Sequence, residues 1–169
     1  MPFQKIIVIG SPGAGKSTFA RKLRDITGLP LHYLDLIWHK PDRTTVPRAE
    51  FDKKLEEILL SEQWIIDGNY QRTIKRRLLS CDTVFLLDYP VEQCLAGAEE
   101  RVGKKREEIP WVEESLDESF RQWITEFRQT ALPQIYSLLQ QYHDSRIITI
   151  FKSRTEAEGY LNALIQQLD

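Results

Sequence analysis

The chain has two cysteines, Cys81 and Cys94, in 169 residues. Thiols so few and so far apart exclude a disulfide-stapled scaffold, a zinc ribbon and a C-x-x-C redox pair, so two reduced thiols are expected. No apolar run approaches the ~20 residues of a membrane-spanning helix. Met1 leads almost at once into a strand-like run, not the hydrophobic stretch of a secretory signal. Together these features predict a cytoplasmic protein with no membrane partner. Charge of neither sign is in excess: 23 Lys and Arg against 25 Asp and Glu give a formal net charge of −2. There is thus no global attraction to nucleic acid or to an anionic surface. Internal repeats, low-complexity linkers and the guanine-reading signatures N-K-x-D and T-K-x-D are also absent. The 41% hydrophobic content is enough for a full core, and the length predicts one domain over 1–169.

What is present is Gly10-Ser11-Pro12-Gly13-Ala14-Gly15-Lys16-Ser17, which fits G-x-x-x-x-G-K-[ST]. A β-branched run, Phe3 to Ile9, precedes it, and Phe19, Leu23 and Ile26 follow at helical spacing. The order strand, loop, helix is the context this motif requires. Its glycines permit backbone angles and a close phosphate approach that a Cβ would obstruct, so successive N–H groups can converge on one anion. Lys16 is placed to reach the β- and γ-phosphates and Ser17 to ligate Mg²⁺. Thr18 opens a helix whose positive end faces the phosphates. The run from Gly10 to Thr18 is the expected ATP cradle.

Downstream, strand and helix signals alternate. Leu31 to Leu34, Trp64 to Gly68, Thr83 to Asp88 and Arg146 to Phe151 read as strands. The first helix stops at Gly28, and another begins at Pro47 with Phe51, Leu55, Ile58 and Leu59 on one face. One runs from Asn69 past Ile74 and Leu78, and one carries Val91, Leu95, Ala98 and Val102. A long one from Phe120 to Tyr142 is expected to kink or divide at Pro133. The last is headed by a capping box, Thr155 to Glu158. Residues 36–46 read as an irregular loop, and 103–116, charged and poor in apolar residues, as a mobile flap. The pattern predicts an α/β fold: a parallel sheet with helices on both faces and right-handed crossovers.

Open parallel sheets place their chemistry at the C-terminal ends of the strands. Three acids lie there. Asp35 is either an acceptor-side acid or the cap of a turn, while Asp67 and Asp88 compete for the metal-side role. Arg72 lies near a strand end, Arg76 and Arg77 read as a solvated helix face, and Arg101 closes the helix after the fourth strand. Lys152-Ser153-Arg154 is either one wall of a base pocket or a connecting turn.

These residues resemble the nucleoside-monophosphate-kinase branch of P-loop proteins. More closely they are similar to the small adenylate-kinase-like proteins labelled DNA topology modulation, or FlaR-like. The likeness is carried by Gly10 to Ser17, His32-Tyr33-Leu34-Asp35, Trp64 to Tyr70, Asp82 to Asp88 and Phe120 to Ile124. It implies strand order 2-3-1-4-5, which puts Asp67 beside the P-loop strand and favours it over Asp88 for Mg²⁺, through water. It makes 103–116 a short lid, with Arg101 at its base and Arg106 within it clamping transferred phosphate. ATP, Mg²⁺ and a small-molecule phosphate acceptor are implied with it. Adenylate kinases continue Asp-Gly with an aromatic residue, Pro and Arg, whereas this chain has Asn69, Tyr70, Gln71 and Arg72. The departure falls on the acceptor side. The leading expectation is an ATP-dependent phosphotransferase acting on a nucleotide or small metabolite, with Lys16, Asp35, Arg101 and Arg106 as its catalytic residues. The alternative is an ATP-binding regulator with slow or no transfer, touching DNA through Lys75-Arg76-Arg77 and Lys104-Lys105-Arg106.

Overall fold

Strand β1 (Lys5–Gly10) is the middle of a five-stranded sheet, and its alternating side chains divide the interior in two. Ile6 and Val8 point to one face and Ile7 and Ile9 to the other, all fully buried. Each side chain of that size contributes about 1.5–3 kcal/mol on burial, so a run apolar on both faces requires cover on both. The computed structural model, which describes residues 3–169, supplies that cover with helices.

In chain order the elements after β1 are α1 (Lys16–Thr27), β2 (Leu31–Tyr33), α2 (Leu34–Trp38) and α3 (Arg48–Leu60). Then come β3 (Trp64–Asp67), α4 (Gln71–Ser80), β4 (Thr83–Leu87) and α5 (Val91–Glu100). The chain closes with α6 (Glu118–Tyr142), β5 (Ile147–Phe151) and α7 (Arg154–Leu168). All strand pairs are parallel, in the order β2-β3-β1-β4-β5. Phe19 and Leu23 of α1, Ala98 of α5 and Leu161 of α7 pack on the Ile6 face. The Ile7 face is covered by Phe51 and Leu55 of α3, Leu78 of α4, and Phe127 and Ile135 of α6.

Several local expectations change. Residues 36–46 are not an irregular loop: α2 begins at Leu34, and His39 then bridges to Thr45 around a turn in which Lys40 N–H donates to Thr44 O at 2.8 Å. Helix α6 is not divided at Pro133 but runs through it for 25 residues. The proline removes one intrahelical hydrogen bond, while Ala131, Leu132 and Ile135 around it are buried against the sheet, and that packing outweighs the loss. The capping box of α7 lies two residues earlier than expected. The Ser153 side chain accepts from Glu156 N–H, and Glu156 Oε2 in turn accepts from Lys152 N–H at 2.7 Å.

The largest correction concerns Arg77, expected on a solvated face and found fully buried. It donates through Nη1 to Gly68 O at 2.8 Å, through Nη2 to Asn69 O, and through Nε to Thr73 Oγ1 at 3.1 Å. Its charge is spent on the carbonyls of the turn after β3, where Gly68 and Tyr70 both take positive φ and leave those groups without regular partners. Burial lowers the Arg77 pKa to about 10, which still leaves it protonated at neutral pH. Replacing Arg77 by Met keeps much of the volume but leaves two part-buried carbonyls without their donor, at about 1–2 kcal/mol each. Urea unfolding of Arg77→Met should therefore show a loss of about 2–4 kcal/mol. An unchanged midpoint would mean the side chain is not holding this turn.

Candidate active site

The loop between β1 and α1 owes its shape to what cannot fit beside it. A Cβ on Gly10 would lie 2.2 Å from Leu87 O, and one on Gly13 would lie 2.2 Å from Cys94 O, so the loop is pressed onto β4 and α5 by backbone contact. Gly13 has φ 79° and Gly15 φ 89°, left-handed conformations that favour glycine. The far side of the contact is glycine too, since a Cβ on Gly97 of α5 would meet Gly13 O at 2.3 Å. Ser11 N–H donates to Leu87 O at 2.9 Å. From the β3 side, Asn69 accepts from Gly10 N–H at 3.0 Å and donates to Gly10 O at 2.7 Å, fixing the first residue of the loop from both ends. Helix α1 begins at Lys16 with Gly15 as its cap, no capping side chain and no acid in its first turn. Its first N–H groups are left for an anion.

Around this loop lies a cavity of about 270 Å³ lined by Gly13, Lys16, Ser17, Asp35, Asp67 and Arg101. The register of β1 on β3 sets Asp67 opposite Val8, two residues short of the loop. Ser17 Oγ donates to Asp67 Oδ2 at 2.5 Å, while Asp67 Oδ1 is buried with no partner. Burial raises the Asp67 pKa to about 6, against the pull of Lys16 and the Ser17 hydrogen bond. Burial likewise lowers Lys16, whose Nζ donates to Ser11 O at 3.1 Å. Asp35 sits in the first turn of α2 and does not cap it; its carboxylate accepts from Tyr70 O–H at 2.7 Å. Burial, and then Asp35, push the Tyr70 phenol far above its usual range, so it remains a donor.

Asp88, the rival metal-side acid, is occupied elsewhere. It accepts from Arg128 at 2.6 Å, Tyr136 O–H at 2.6 Å and Lys152 at 2.6 Å. Although burial works against its charge, the bonds from Lys152 and Tyr136 hold its pKa below the ordinary range. Lys152 is thereby drawn away from the P-loop, while Arg154 lines a cavity beside Gly15, Thr18, Lys22 and Tyr89 on the loop's outer side.

Residues 101–117 join α5 to α6 without regular structure and are laid over the site. Glu107 accepts from Tyr33 O–H at 2.5 Å and Arg24 at 2.8 Å, and Glu108 accepts from Arg21 at 2.7 Å. Arg101 lines the P-loop cavity, 5.7 Å from the centroid of the Phe120 ring, with its Nε buried and unpartnered. Burial, then the like charge of Arg106, lowers its pKa. Arg106 does not line that cavity but lines a neighbouring one with Gly13, Gly15, Thr18 and Arg101, and it pairs with Glu108 at 3.0 Å and Glu113 at 3.3 Å. The two basic clusters are each interrupted: Arg77 is buried, Arg76 pairs with Glu56 and Arg106 is nearly enclosed, while Lys75, Lys104 and Lys105 are exposed.

Sequence reasoning missed Asn69, Tyr70 and Glu108 as site residues. The Asn-Tyr pair after Asp67-Gly68 was the available signal for the first two. Glu108 had none, because a buried acid inside a run of charges looks like any solvated one.

The proton balance at Asp67 has a measurable consequence. Its pKa is about 6 folded against 3.8 for a free side chain, so the folded state binds the proton more tightly and stability falls as pH rises between those values. Above that window the charged carboxylate is a standing cost. Without Mg²⁺ at about pH 7.5, Asp67→Asn should therefore raise Tm by a few degrees and flatten the dependence of stability on pH between about 4 and 6. Thermal melts across that range test it, and a lowered Tm at neutral pH would contradict the assigned burial cost.

No family model matches the chain. It is 35% identical over 88 residues to adenylate kinase from Thermotoga petrophila, covering 50% of this chain and 39% of that one. Adenylate kinase from Thermosipho melanesiensis is 32% identical over 103 residues, covering 59% and 47%. The matched region thus spans less than half the length of these curated relatives. Shikimate kinase from Acinetobacter baumannii, solved with shikimate, superposes with TM-score 0.61 at 19% identity over 98% of this chain and 93% of that one. Shikimate kinase from Bacteroides thetaiotaomicron gives TM-score 0.54 at 17% identity, covering 96% of both. On its strand order and these superpositions, the chain has the P-loop kinase fold.

Proposed function

We propose that this protein is an ATP-dependent phosphotransferase acting on a small hydroxylated acceptor. The observation that carries the reading is the convergence of Lys16, Ser17, Asp67, Asp35 and Arg101 on one cavity at the open N-terminus of α1. Phosphoryl transfer requires positioning and charge neutralisation more than covalent catalysis, and each of these groups supplies one or the other. The partial adenylate kinase similarity supports the same class, and the motifs shared with FlaR-like proteins suggest that branch of it.

The N–H groups from Gly13 to Thr18 hold the β-phosphate, and Lys16 bridges β- and γ-oxygens. Ser17 Oγ would ligate Mg²⁺ and Asp67, whose Oδ1 is unpartnered, would hold it through water; the cation would neutralise phosphate charge when bound. Two protein groups suit a cation that keeps several waters and takes its other ligands from phosphates. Asp35, oriented by Tyr70, accepts the acceptor hydroxyl's proton as its oxygen bonds to the γ-phosphorus and the bond to the β-phosphate oxygen breaks. Arg101 faces the charge that develops on the γ-oxygens, and Arg106 supports the lid above it.

Incubation with Mg-ATP and a panel of nucleotides and hydroxylated metabolites, followed by phosphorus NMR, tests the reading. ADP and a new phosphate ester are expected. Lys16→Ala should bind ATP more weakly or lose nearly all turnover without unfolding. A folded Lys16→Ala protein with unchanged ATP binding and turnover would overturn the P-loop assignment.

Asp35→Asn should keep ATP affinity while transfer drops about 10²-fold or more, the contribution expected of a positioned base. Arg101→Ala should also slow transfer more than it weakens ATP binding, by up to about 10³-fold. Single-turnover rates and ATP titrations on the same preparations separate these effects. Normal transfer by folded Asp35→Asn would remove this acid from the acceptor site.

A further inference from the structure

A second cavity, of about 970 Å³, lies under the lid and meets the P-loop cavity at Asp35, Arg101, Phe120 and Trp123, which line both. An acceptor held there presents its hydroxyl to Asp35 at the junction. The charges on the cavity wall then restrict what the acceptor can be.

Few cations are left to receive an anionic acceptor. Among the described residues, Arg43, Arg101 and Arg106 are the arginines and lysines that line this cavity. The Arg43 guanidinium lies over the Trp111 ring, 5.4 Å from its centroid, Arg106 is bound by Glu108 and Glu113, and Arg101 faces the phosphate to be transferred. The arginines that α4 brings near are committed as well: Arg72 pairs with Asp52 at 2.7 Å, and Arg77 is buried on the Gly68 and Asn69 carbonyls. Acids still outnumber the cations when pairs are set aside, because Glu114 and Asp117 join Asp35 on the wall, whereas Glu113 and Glu118 are paired with Arg106 and Arg121. A second phosphate, or a carboxylate, would enter against that field.

The apolar part of the wall is aromatic. Trp111 and Trp123 line it with Phe120, and the His39 ring meets Trp111 edge-on at 5.2 Å between centroids. His39 Nδ1 is buried without a hydrogen-bond partner beside this wall. Flat rings gain most from such surfaces, and amines on a ring gain further from the acids beside them.

We infer that the acceptor is an uncharged or cationic, ring-bearing alcohol, and not a nucleoside monophosphate or a carboxylate. The inference rests on the phosphotransferase reading and narrows its acceptor. The acceptor's hydroxyl oxygen bonds to the γ-phosphorus, its proton passes to Asp35, and ADP leaves. A second polar substituent reaches His39, and a positive group lies toward Glu114, which is exposed on the wall.

Calorimetric titration of the nucleotide-free protein with pyridoxamine, pyridoxine and 4-pyridoxic acid tests the charge rule, since the three share one ring and one hydroxymethyl group. Pyridoxamine should bind tightest and the carboxylate weakest, by about tenfold or more between them at low ionic strength. Added salt should narrow the gap. Glu114→Lys, checked for an unchanged Tm, should narrow it as well. Equal binding, preference for the carboxylate, binding by none of the three, or a gap that Glu114→Lys leaves intact overturns the inference. ATP titration on the same preparation reports separately on the phosphotransferase reading, so failure there is told apart from failure of the charge rule.

Discussion

For the proposed function the backbone of residues 10–15 has to stay open toward an anion while being too confined to collapse, and most of the fold would serve that requirement. Three surfaces press on the loop: the Leu87 carbonyl of β4, the Cys94 carbonyl of α5 and the Asn69 amide after β3. Neither carbonyl tolerates a Cβ where Gly10 and Gly13 approach, and Gly97 removes one from the opposing helix as well. The sheet order follows from this need, because only a central strand with parallel neighbours on both sides can offer its C-terminal loop to both. Arg77 belongs to the same device at one remove, since the turn it ties down is the turn that carries Asn69.

Such a loop is costly to surround with charges, and the costs show where function is concentrated. Asp67 and Lys16 are both buried and both displaced toward neutrality, each held charged mainly by the other. A chain selected for stability alone would not keep that pair, because burying a carboxylate and an ammonium costs more than their attraction returns unless further ligands complete the set. The unpartnered Asp67 Oδ1 and the uncapped N-terminus of α1 are where such ligands would bind under the proposed function.

Elements dominated by short-range pattern were legible in the sequence. Buried strands announced themselves by β-branched runs, and the strand-loop-helix context of Gly10 to Ser17 fixed the P-loop without help from distant residues. Features decided by distant partners were not legible. Pro133 looked like a break, yet its flanking residues are packed on the sheet and the helix continues. Arg77 had the spacing of a solvated face, and only the turn geometry at Gly68 and Tyr70 explains why a cation lies inside. Glu108 sits among charges that look alike in sequence, and its burial depends on Arg21 arriving from α1.

Asp67 and Asp88 show the limit most sharply, because their local sequences are nearly equivalent: each ends a buried strand at the reactive edge of the sheet. What separates them is who else arrives. Arg128 and Tyr136 come from α6 and Lys152 from the end of β5, so both Asp88 oxygens are taken and its charge is stabilised as a structural tie between helix and sheet. Asp67 receives only the Ser17 hydroxyl and keeps one buried oxygen free. An acid saturated by cations has nothing left to offer a metal ion, whereas one raised to about 6 by burial gains from any cation that reaches it. The difference between a brace and the proposed ligand thus lies in residues 40 to 64 positions away in the chain, beyond the reach of any local motif.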